Sequence, residues 1–226
     1  MNFPKLIQGT ILKRYKRFLA DVELENGDIV IAHCANSGKM TSCWQEGWKV
    51  WLSYHDDPKR KLKYSWQLSC PENAMICVNT HLANTVVGEA LRADRVSELT
   101  GYQDIRAEVK YGEKSRVDFL LTRDDEKCYV EVKSVTLLKD NIYQFPDTVT
   151  TRGQKHLQEL IEMKKQGHRA VMLFAILRQD KELYPFKAAD ELDPKYAELL
   201  EKAKEAGVEC LVYHTEISEE SIRLVK

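Results

Sequence analysis

The chain has 226 residues, of which 43% are hydrophobic and 31% are charged, and its formal net charge at pH 7 is −1. These values are typical of an ordinary globular protein with one large domain or two small ones, and they give no global attraction to nucleic acid. No apolar run approaches the length of about 18 residues that a membrane span requires, so we expect no contact with a membrane.

The cysteines predict a reducing environment. Six cysteines are scattered along the chain without a C-x-x-C pair, which argues against a zinc ribbon and against a dense disulfide framework. The first residues also lack the apolar segment of a secretory signal. We therefore expect reduced thiols and a cytoplasmic location.

Charge is distributed unevenly along the chain. Residues 1–80 carry 11 Lys and Arg against 8 Asp and Glu, whereas residues 81–226 carry 23 against 27. Within the first part, the basic residues cluster together with aromatic residues in segments 13–18 and 59–64. Such local patches matter more for polyanion binding than the total charge does.

The first 70 or so residues read as a series of short strands. Patterns typical of β-structure cover residues 6–13, 18–24, 29–33, 48–54 and 64–68. Asn26-Gly27 between two of them favours a hairpin turn, because this pair tolerates positive φ. About five short strands indicate a small barrel of SH3-like or OB type.

After residue 80 the pattern changes to alternating helices and strands. A helix is predicted over 82–99, where Gly101 stops it, and strands follow over 105–111, 116–121 and 127–133. Next come a helix over 151–166, an almost wholly apolar strand over 169–177, a helix that Asp193-Pro194 opens and Gly207 closes, and a strand over 208–214. This order predicts a mixed sheet flanked by helices, with a domain boundary between residues 70 and 82.

Three charged residues lie inside predicted strands. Asp118 stands between apolar residues, and Glu131 and Lys133 follow in Val130-Glu131-Val132-Lys133. Side chains alternate along a strand, so Glu131 and Lys133 point to one face. If the two strands pair through the short turn at 123–126, the carboxylates of Asp118 and Glu131 can converge.

Two carboxylates at one sheet edge repel each other unless a cation neutralises them, and hard oxygen ligands select Mg²⁺ or Mn²⁺. Asp118 and Glu131 are therefore the predicted metal ligands. An ion there would polarise a phosphoryl oxygen and lower the pKa of a bound water. Lys133 would orient that water or stabilise charge on the phosphate.

Neighbouring helices offer further candidates. Glu89 on the first helix could add a carboxylate, with Glu108 on the first strand of the sheet as an alternative, and Gln154 opens the helix that follows Glu131. Arg152, Lys155 and His156 surround Gln154 at a helix N-terminus, where phosphate binding is favourable. The predicted nucleic-acid contacts are Arg14, Tyr15, Lys16, Arg17, Asn36, Lys39, Arg152 and Lys155.

Each of these patterns also has a structural interpretation. The three charged strand residues could form an ion pair at a sheet edge, with Arg116 or Lys133 as the cation. The segment 14–18 could be a solvated strand with an aromatic residue in the core, or it could contact phosphates and stack on bases. Residues 36–40 could form a tight turn, or their backbone N–H groups could face a phosphate.

Several longer motifs resemble one family. They are Arg14–Asp21, His33–Met40, Cys77–Thr80, Glu108–Gly112, Tyr129–Leu137 and Arg152–Leu157. Together with the Asp118, Glu131 and Lys133 pattern, which resembles that of PD-(D/E)XK nucleases, they are similar to the bacterial sugar fermentation stimulation protein A family. The resemblance covers residues 3–215, nearly the whole chain. It implies an α/β (α+β) protein with an OB-like N-terminal β-barrel followed by a mixed-sheet PD-(D/E)XK nuclease-like domain, and we place these domains at residues 1–78 and 79–226.

The same resemblance implies DNA binding without clear sequence preference and a regulatory role in sugar (maltose) metabolism. It leads us to expect an acid within residues 145–153, where this chain has Thr151, so a role for an acid there is open.

Three functions compete at this stage. The first is a DNA-binding protein with a nuclease-like metal site, and the second is an active Mg²⁺- or Mn²⁺-dependent nuclease acting on DNA or RNA. The third is a structural module in which the acids only pair with cations. No helix-turn-helix is apparent, so we do not expect major-groove reading of sequence. The oligomeric state is left open, a homodimer included.

Overall fold

The computed structural model describes residues 1–111 and 115–226. In its N-terminal part the chain forms strands β1 (Leu6–Tyr15), β2 (Leu19–Leu24), β3 (Ile29–Cys34), β4 (Lys49–Tyr54), β5 (Tyr64–Cys70) and β6 (Ala74–Cys77). The next elements are α1 (Leu82–Arg92), a 3₁₀ turn (Ser97–Leu99), β7 (Asp104–Tyr111), β8 (Ser115–Arg123), β9 (Glu126–Val135), β10 (Leu137–Lys139) and β11 (Ile142–Phe145). The last elements are α2 (Thr151–Lys165), β12 (Arg169–Ile176), β13 (Arg178–Asp180), β14 (Phe186–Ala188), α3 (Pro194–Glu205), β15 (Glu209–Ile217) and β16 (Ile222–Val225).

Strands β1 to β5 close into a barrel. β1 pairs antiparallel with both β2 and β4, β2 pairs antiparallel with β3, and β5 completes the ring by pairing parallel with β3 and antiparallel with β4. The interior is filled by apolar side chains that alternate along these strands, among them Ile11, Val22, Leu52 and Trp66. This closed five-stranded arrangement is that of an OB-like barrel.

The second part of the chain is built on a mixed sheet in the order β16-β15-β12-β9-β8-β7. Its centre, β9-β12-β15, is parallel, and the outer pairs β7-β8, β8-β9 and β15-β16 are antiparallel. α1 packs on one face of the sheet, and α2 and α3 pack on the other. Residues 170–176 of β12 are all buried, as the continuous apolar run predicts for a strand covered on both faces.

The barrel and the sheet share hydrogen bonds at two places. β6 pairs with β5 of the barrel and with β13, which follows β12 of the sheet. Near the chain ends, Asn2 forms a bridge with Ser221, and Phe3 packs into the core on the α1 side of the sheet. These contacts fix the barrel against one edge of the sheet.

The first helix is shorter than the sequence predicts. Its pattern predicts a helix over 82–99, but α1 ends at Arg92 and residues 97–99 form a separate 3₁₀ turn. The cause is Asp94, whose φ of 50° is left-handed, while Arg95 N–H turns back to the carbonyl of Ala90 at 2.9 Å. The short strands β10, β11, β13, β14 and β16 were not predicted, because three or four residues give too little periodicity.

One buried guanidinium joins the barrel to the strand that carries Glu131. Arg178 is 4% exposed and donates from Nε and Nη2 to Asp180 at 2.7 and 2.6 Å. Its Nη1 donates to the carbonyls of Ser42 in the barrel, at 3.2 Å, and Thr136 after β9, at 3.0 Å. Arg178 therefore holds the barrel at a fixed distance from β9.

We expect Arg178→Ala to destabilise the protein by about 3–5 kcal/mol, because the change leaves a buried carboxylate unpaired. Chemical denaturation followed by circular dichroism measures this. Arg106→Ala is the matched control, since Arg106 pairs with Asp104 at 2.9 Å where both side chains are 55% exposed, and its loss should cost under about 1 kcal/mol. Equal effects of the two substitutions would show that Arg178 does not join the two parts.

Candidate functional site

Asp118 lies on β8, directly before the residues of that strand that pair with β9. The ladder between these strands includes Phe119 opposite Val130, and beyond it the N–H of Val132 donates to Asp118 Oδ2 at 2.7 Å. Asn84 of α1 donates from Nδ2 to the other oxygen, Oδ1, also at 2.7 Å. Both carboxylate oxygens of Asp118 are therefore oriented by hydrogen bonds.

The strand alternation is interrupted at this position. Val117 packs with the α2 side of the sheet, whereas Phe119, two residues later, packs with the α1 side. Opposite them on β7, Glu108 has a φ of 55°, which bends that strand. This irregularity directs the Asp118 carboxylate toward α1.

Glu131 lies on the central strand β9 and is 1% exposed. Its Oε1 accepts a hydrogen bond from Lys133 Nζ at 2.8 Å and also contacts Nδ1 of His156 on α2. Lys133 Nζ lies 3.1 Å from the same His156 nitrogen. Oε2 of Glu131 is buried and has no partner among the described residues.

The two carboxyl groups influence each other electrostatically. Burial raises the pKa of Asp118, and the negative charge of Glu131 raises it further. Burial also opposes ionisation of Glu131, but the positive Lys133 and the hydrogen bond with His156 outweigh it, so the pKa of Glu131 lies below its usual value. The pKa of Tyr111 is raised by burial and then by the charge of Glu131. Glu131 is thus ionised at neutral pH beside a second carboxylate.

A cleft of about 490 Å³ opens beside these carboxylates, between the barrel and the sheet. Arg17 and residues 36–38 of the barrel form one wall, and Asn84 and Lys133 belong to the other. Asn84 donates to Asp118 and Lys133 donates to Glu131, so two residues that hold the carboxylates line this cleft.

A second cleft, of about 620 Å³, lies on the α2 side of the sheet. Its lining includes Glu108 and His156 together with the cations Arg116, Arg152 and Lys155. Arg152 lines both clefts, and its Nε donates to Nε2 of His156 at 3.4 Å. The two clefts therefore share one arginine, and this arginine contacts the histidine that holds Glu131.

Two of the predicted site residues form their polar contacts with groups other than Asp118 and Glu131. Glu89 is exposed, and its carboxylate pairs with the N-terminal amine at 2.6 Å. Gln154 donates from Nε2 to both oxygens of Asp193, the N-cap of α3, at 2.8 and 3.1 Å. Neither residue contacts Asp118 or Glu131 in the part of the chain that the structure describes.

The predicted nucleic-acid residues divide into internal and exposed groups. Arg14 turns inward and donates to the carbonyls of Arg17, Asn36 and Gly38 at 2.6, 2.9 and 3.1 Å, so it supports the turn that forms the barrel wall of the first cleft. Tyr15 donates to Asp21 at 2.9 Å.

The side chain of the buried Asn36 accepts from Gly38 N–H at 2.9 Å, which gives the tight turn that the sequence suggests. The exposed group is Lys16, Arg17, Lys39, Arg152 and Lys155. Of these, Lys155 reaches Ser115 at 2.9 Å, next to the second cleft.

The segment in which an acid was expected contains Asp147. Its Oδ2 accepts from the N–H of Met40 at 3.3 Å, and its carboxylate lies against Gly38, where even a methyl group would collide with it. Thr151 is exposed and opens α2, while Thr150 caps the helix by accepting from Gly153 N–H at 3.1 Å. Asp147 therefore lines the first cleft and contacts the barrel there.

Sequence reasoning missed two residues of the site. His156 was noted only as a basic neighbour at a helix start, although it contacts both Glu131 and Lys133. Asn84, which orients Asp118, gave no signal in the sequence. Among the described residues, no group of three or more His, Cys, Asp or Glu side chains is arranged to hold a metal ion.

Comparison with known proteins decides the family. A family model described as "Sugar fermentation stimulation protein RE domain" matches residues 81–221, and one described as "SfsA N-terminal OB domain" matches residues 12–78. The chain belongs to the sugar fermentation stimulation protein family. The resemblance stated from the sequence motifs is confirmed, and so is the predicted fold class of an OB-like barrel followed by a nuclease-like mixed-sheet domain.

Relatives of similar length support this membership. A sugar fermentation stimulation protein homolog of Psychromonas ingrahamii is 51% identical over 223 residues, which covers 96% of this chain and 97% of that protein. A homolog of Geotalea uraniireducens is 51% identical over 225 residues, with 99% and 96% covered. The solved structure of Pyrococcus furiosus SfsA in complex with Ca²⁺ is 28% identical, covers 99% of this chain and 95% of that one, and superposes with a TM-score of 0.87.

Among the described residues, no helix combines the length and the apolar character that crossing a membrane would demand.

We expect Lys133→Met to raise the pKa of both Asp118 and Glu131, because the positive charge of Lys133 lowers both. Carboxyl ¹³C chemical shifts measured as a function of pH test this. Lys155→Met, which removes an exposed cation outside direct contact with either carboxylate, should change them little. Unchanged values in Lys133→Met would contradict the electrostatic description of the site.

Proposed function

We propose that the protein binds DNA in the cleft between the barrel and the sheet and holds a divalent cation at Asp118 and Glu131. The observation that carries this proposal is the position of the cleft. Its walls combine Arg17 and Arg152, which suit phosphate groups, with Lys133, which is bonded to Glu131. The cleft therefore offers groups for binding a polyanion, and the proposed cation site lies next to them.

The carboxylate pair suits a hard cation such as Mg²⁺ or Mn²⁺. Each Asp118 oxygen accepts one hydrogen bond and keeps a further lone pair, and Glu131 Oε2 is buried without a partner among the described residues. Burial, and next the charge of Glu131, raise the pKa of Asp118, and a cation bound beside it would favour its ionised form. The Ca²⁺ complex of Pyrococcus furiosus SfsA gives independent support for a divalent ion in this family.

Binding without clear sequence preference follows from the character of these residues. Arg17, Arg152 and Lys155 present charge to phosphates, and phosphate contacts position a nucleic acid without reading its sequence. We also propose that residues 1–78 form the nucleic-acid-binding barrel and that residues 79–226 form the nuclease-like domain. The proposal further includes a regulatory role in sugar metabolism and a cytoplasmic location.

A second candidate function is hydrolysis of phosphodiester bonds, and the position of Lys133 favours it. The Lys133 ammonium lines the cleft and is held at 2.8 Å from Glu131, so it can donate a hydrogen bond to a phosphoryl oxygen that enters. When bound, a divalent cation supplies Lewis-acid polarisation of the phosphate. His156 contacts the same Glu131 oxygen as Lys133 and so helps to keep the carboxylate in place. In the reaction the oxygen of water bonds to phosphorus, and the bond to one sugar oxygen breaks.

Cleavage and binding can be tested separately. We expect the wild-type protein to cleave labelled DNA in Mn²⁺ or Mg²⁺, and Asp118→Asn and Glu131→Gln to lower the rate by at least about 100-fold while they still bind DNA in EDTA. Glu89→Gln is the matched control, because that acid is exposed and pairs with the N-terminus. Its rate should be unchanged.

The two proposals fail on different results. Equal cleavage by wild type and Glu131→Gln would exclude hydrolysis at this site. Wild-type protein that binds DNA with the same affinity at 50 and 200 mM salt, or does not bind it at all, would contradict the electrostatic binding proposed for the cleft.

A further inference from the structure

We propose that the outer face of the barrel at β3, together with the β1–β2 turn and the β4–β5 loop, is a second nucleic-acid contact that takes single strands. This inference rests on the proposed function and extends it, because it names the form of nucleic acid and a surface outside the cleft. The observations are a row of side chains across three strands, a cationic loop above it, and exposed apolar groups beside it.

The row runs across β4, β5 and β3. Ser53 lies opposite Ser65, and Ser65 lies beside His33 in the parallel pair. Ser53 Oγ is 3.0 Å from Nε2 of His55, and Ser65 Oγ accepts from Nη2 of Arg60 at 3.2 Å. The two serines therefore fix His55 and Arg60 over the outer face, next to His33.

The loop that supplies these groups is strongly basic. Residues 55–63 contain four cationic side chains, Lys59, Arg60, Lys61 and Lys63, against two aspartates. A hydrogen bond of 2.8 Å from His55 N–H to the carbonyl of Lys63 closes the loop at its base. Lys16 and Arg17 add exposed positive charge in the β1–β2 turn. This surface complements a polyanion.

Apolar and aromatic groups lie among these charges. Phe18 and Ile31 are each 45% exposed, and Ile31 shares the outer face of β3 with His33. Burial, and next the positive charge of Arg60, lower the pKa of His33, so its ring is neutral at pH 7 and presents a flat aromatic face. Bases stack on such groups, and the stacking is tolerant of sequence.

These features fit a single strand better than a duplex. In a duplex the faces of the bases are stacked on each other and cannot reach Phe18 or His33, whereas an unpaired strand presents both its bases and its phosphates. Cations mixed with exposed aromatic groups on one surface are the combination that single strands require.

The surface also continues into the cleft. His81, just before α1, lies near His33, and Thr80 and Ala83, close to it in the chain, line the cleft with Lys133. Arg17 belongs to both the β1–β2 turn and the cleft wall. One strand can therefore contact both the barrel face and the cleft, with Arg17 between them.

Fluorescence anisotropy with labelled (dT)16 and with a 16-base-pair duplex, in EDTA and 100 mM NaCl, tests the inference on the full chain. We expect the His33→Ala/Arg60→Ala variant to bind (dT)16 at least about 10-fold more weakly and the duplex less than about 3-fold more weakly. The slope of log K against log salt for (dT)16 should become shallower by about 0.7 for the one charge lost. Lys127→Ala, which removes an exposed lysine on β9, is the matched control and should bind as wild type does.

A single variant, Phe18→Ala, changes only an exposed side chain and decides the matter if the double variant does not fold. It should weaken (dT)16 binding by about 5-fold or more. Unchanged (dT)16 affinity in these variants, with a clear loss in Arg152→Ala, would overturn the barrel contact and leave the cleft proposal intact. Equal losses for duplex and single strand would overturn the assignment to single strands, and wild type that binds neither DNA would overturn both proposals.

Discussion

An ionised carboxylate buried in the central strand of a sheet is the constraint on which the rest of the site depends. Glu131 is 1% exposed, and a charge in that position is tolerated only when other groups compensate it. Lys133 and His156 do so from the same side of the sheet. Asp118 on the neighbouring strand adds a second carboxylate, and burial and the charge of Glu131 raise its pKa.

The barrel and the sheet contribute to one cleft because their relative position is fixed by polar contacts. Arg178 bonds to carbonyls of both parts, and the Asp147 carboxylate fits against Gly38, where no side chain would leave room for it. The turn that contains Gly38 is in turn supported by Arg14. Arg14 therefore acts on the cleft through the backbone of that turn, although the sequence suggested that it would contact phosphate directly.

The sequence predicts the elements of the site well, because local patterns determine them. The β-branched residues around Asp118 and Glu131 and the turn at 123–126 identify two paired strands, and the apolar run of β12 identifies the strand beside them. What the sequence does not predict is which side chain of a helix faces the carboxylates. On α1, Asn84 rather than Glu89 reaches Asp118, and five residues correspond to about 140° around a helix. On α2, His156 rather than Gln154 reaches Glu131, a difference of about 200°. The face that each helix turns toward the carboxylates is set by packing between elements that are distant in the sequence. A local sequence pattern therefore cannot predict it.

The central claim is that Asp118 and Glu131 share a divalent cation. Titration calorimetry with Mn²⁺ on the wild-type protein, Glu131→Gln and Glu89→Gln tests it most directly, since it needs neither nucleic acid nor catalysis. The account predicts saturable binding to wild type and to Glu89→Gln that disappears in Glu131→Gln. Binding of equal strength in Glu131→Gln, or no Mn²⁺ binding to the wild-type protein, would contradict it.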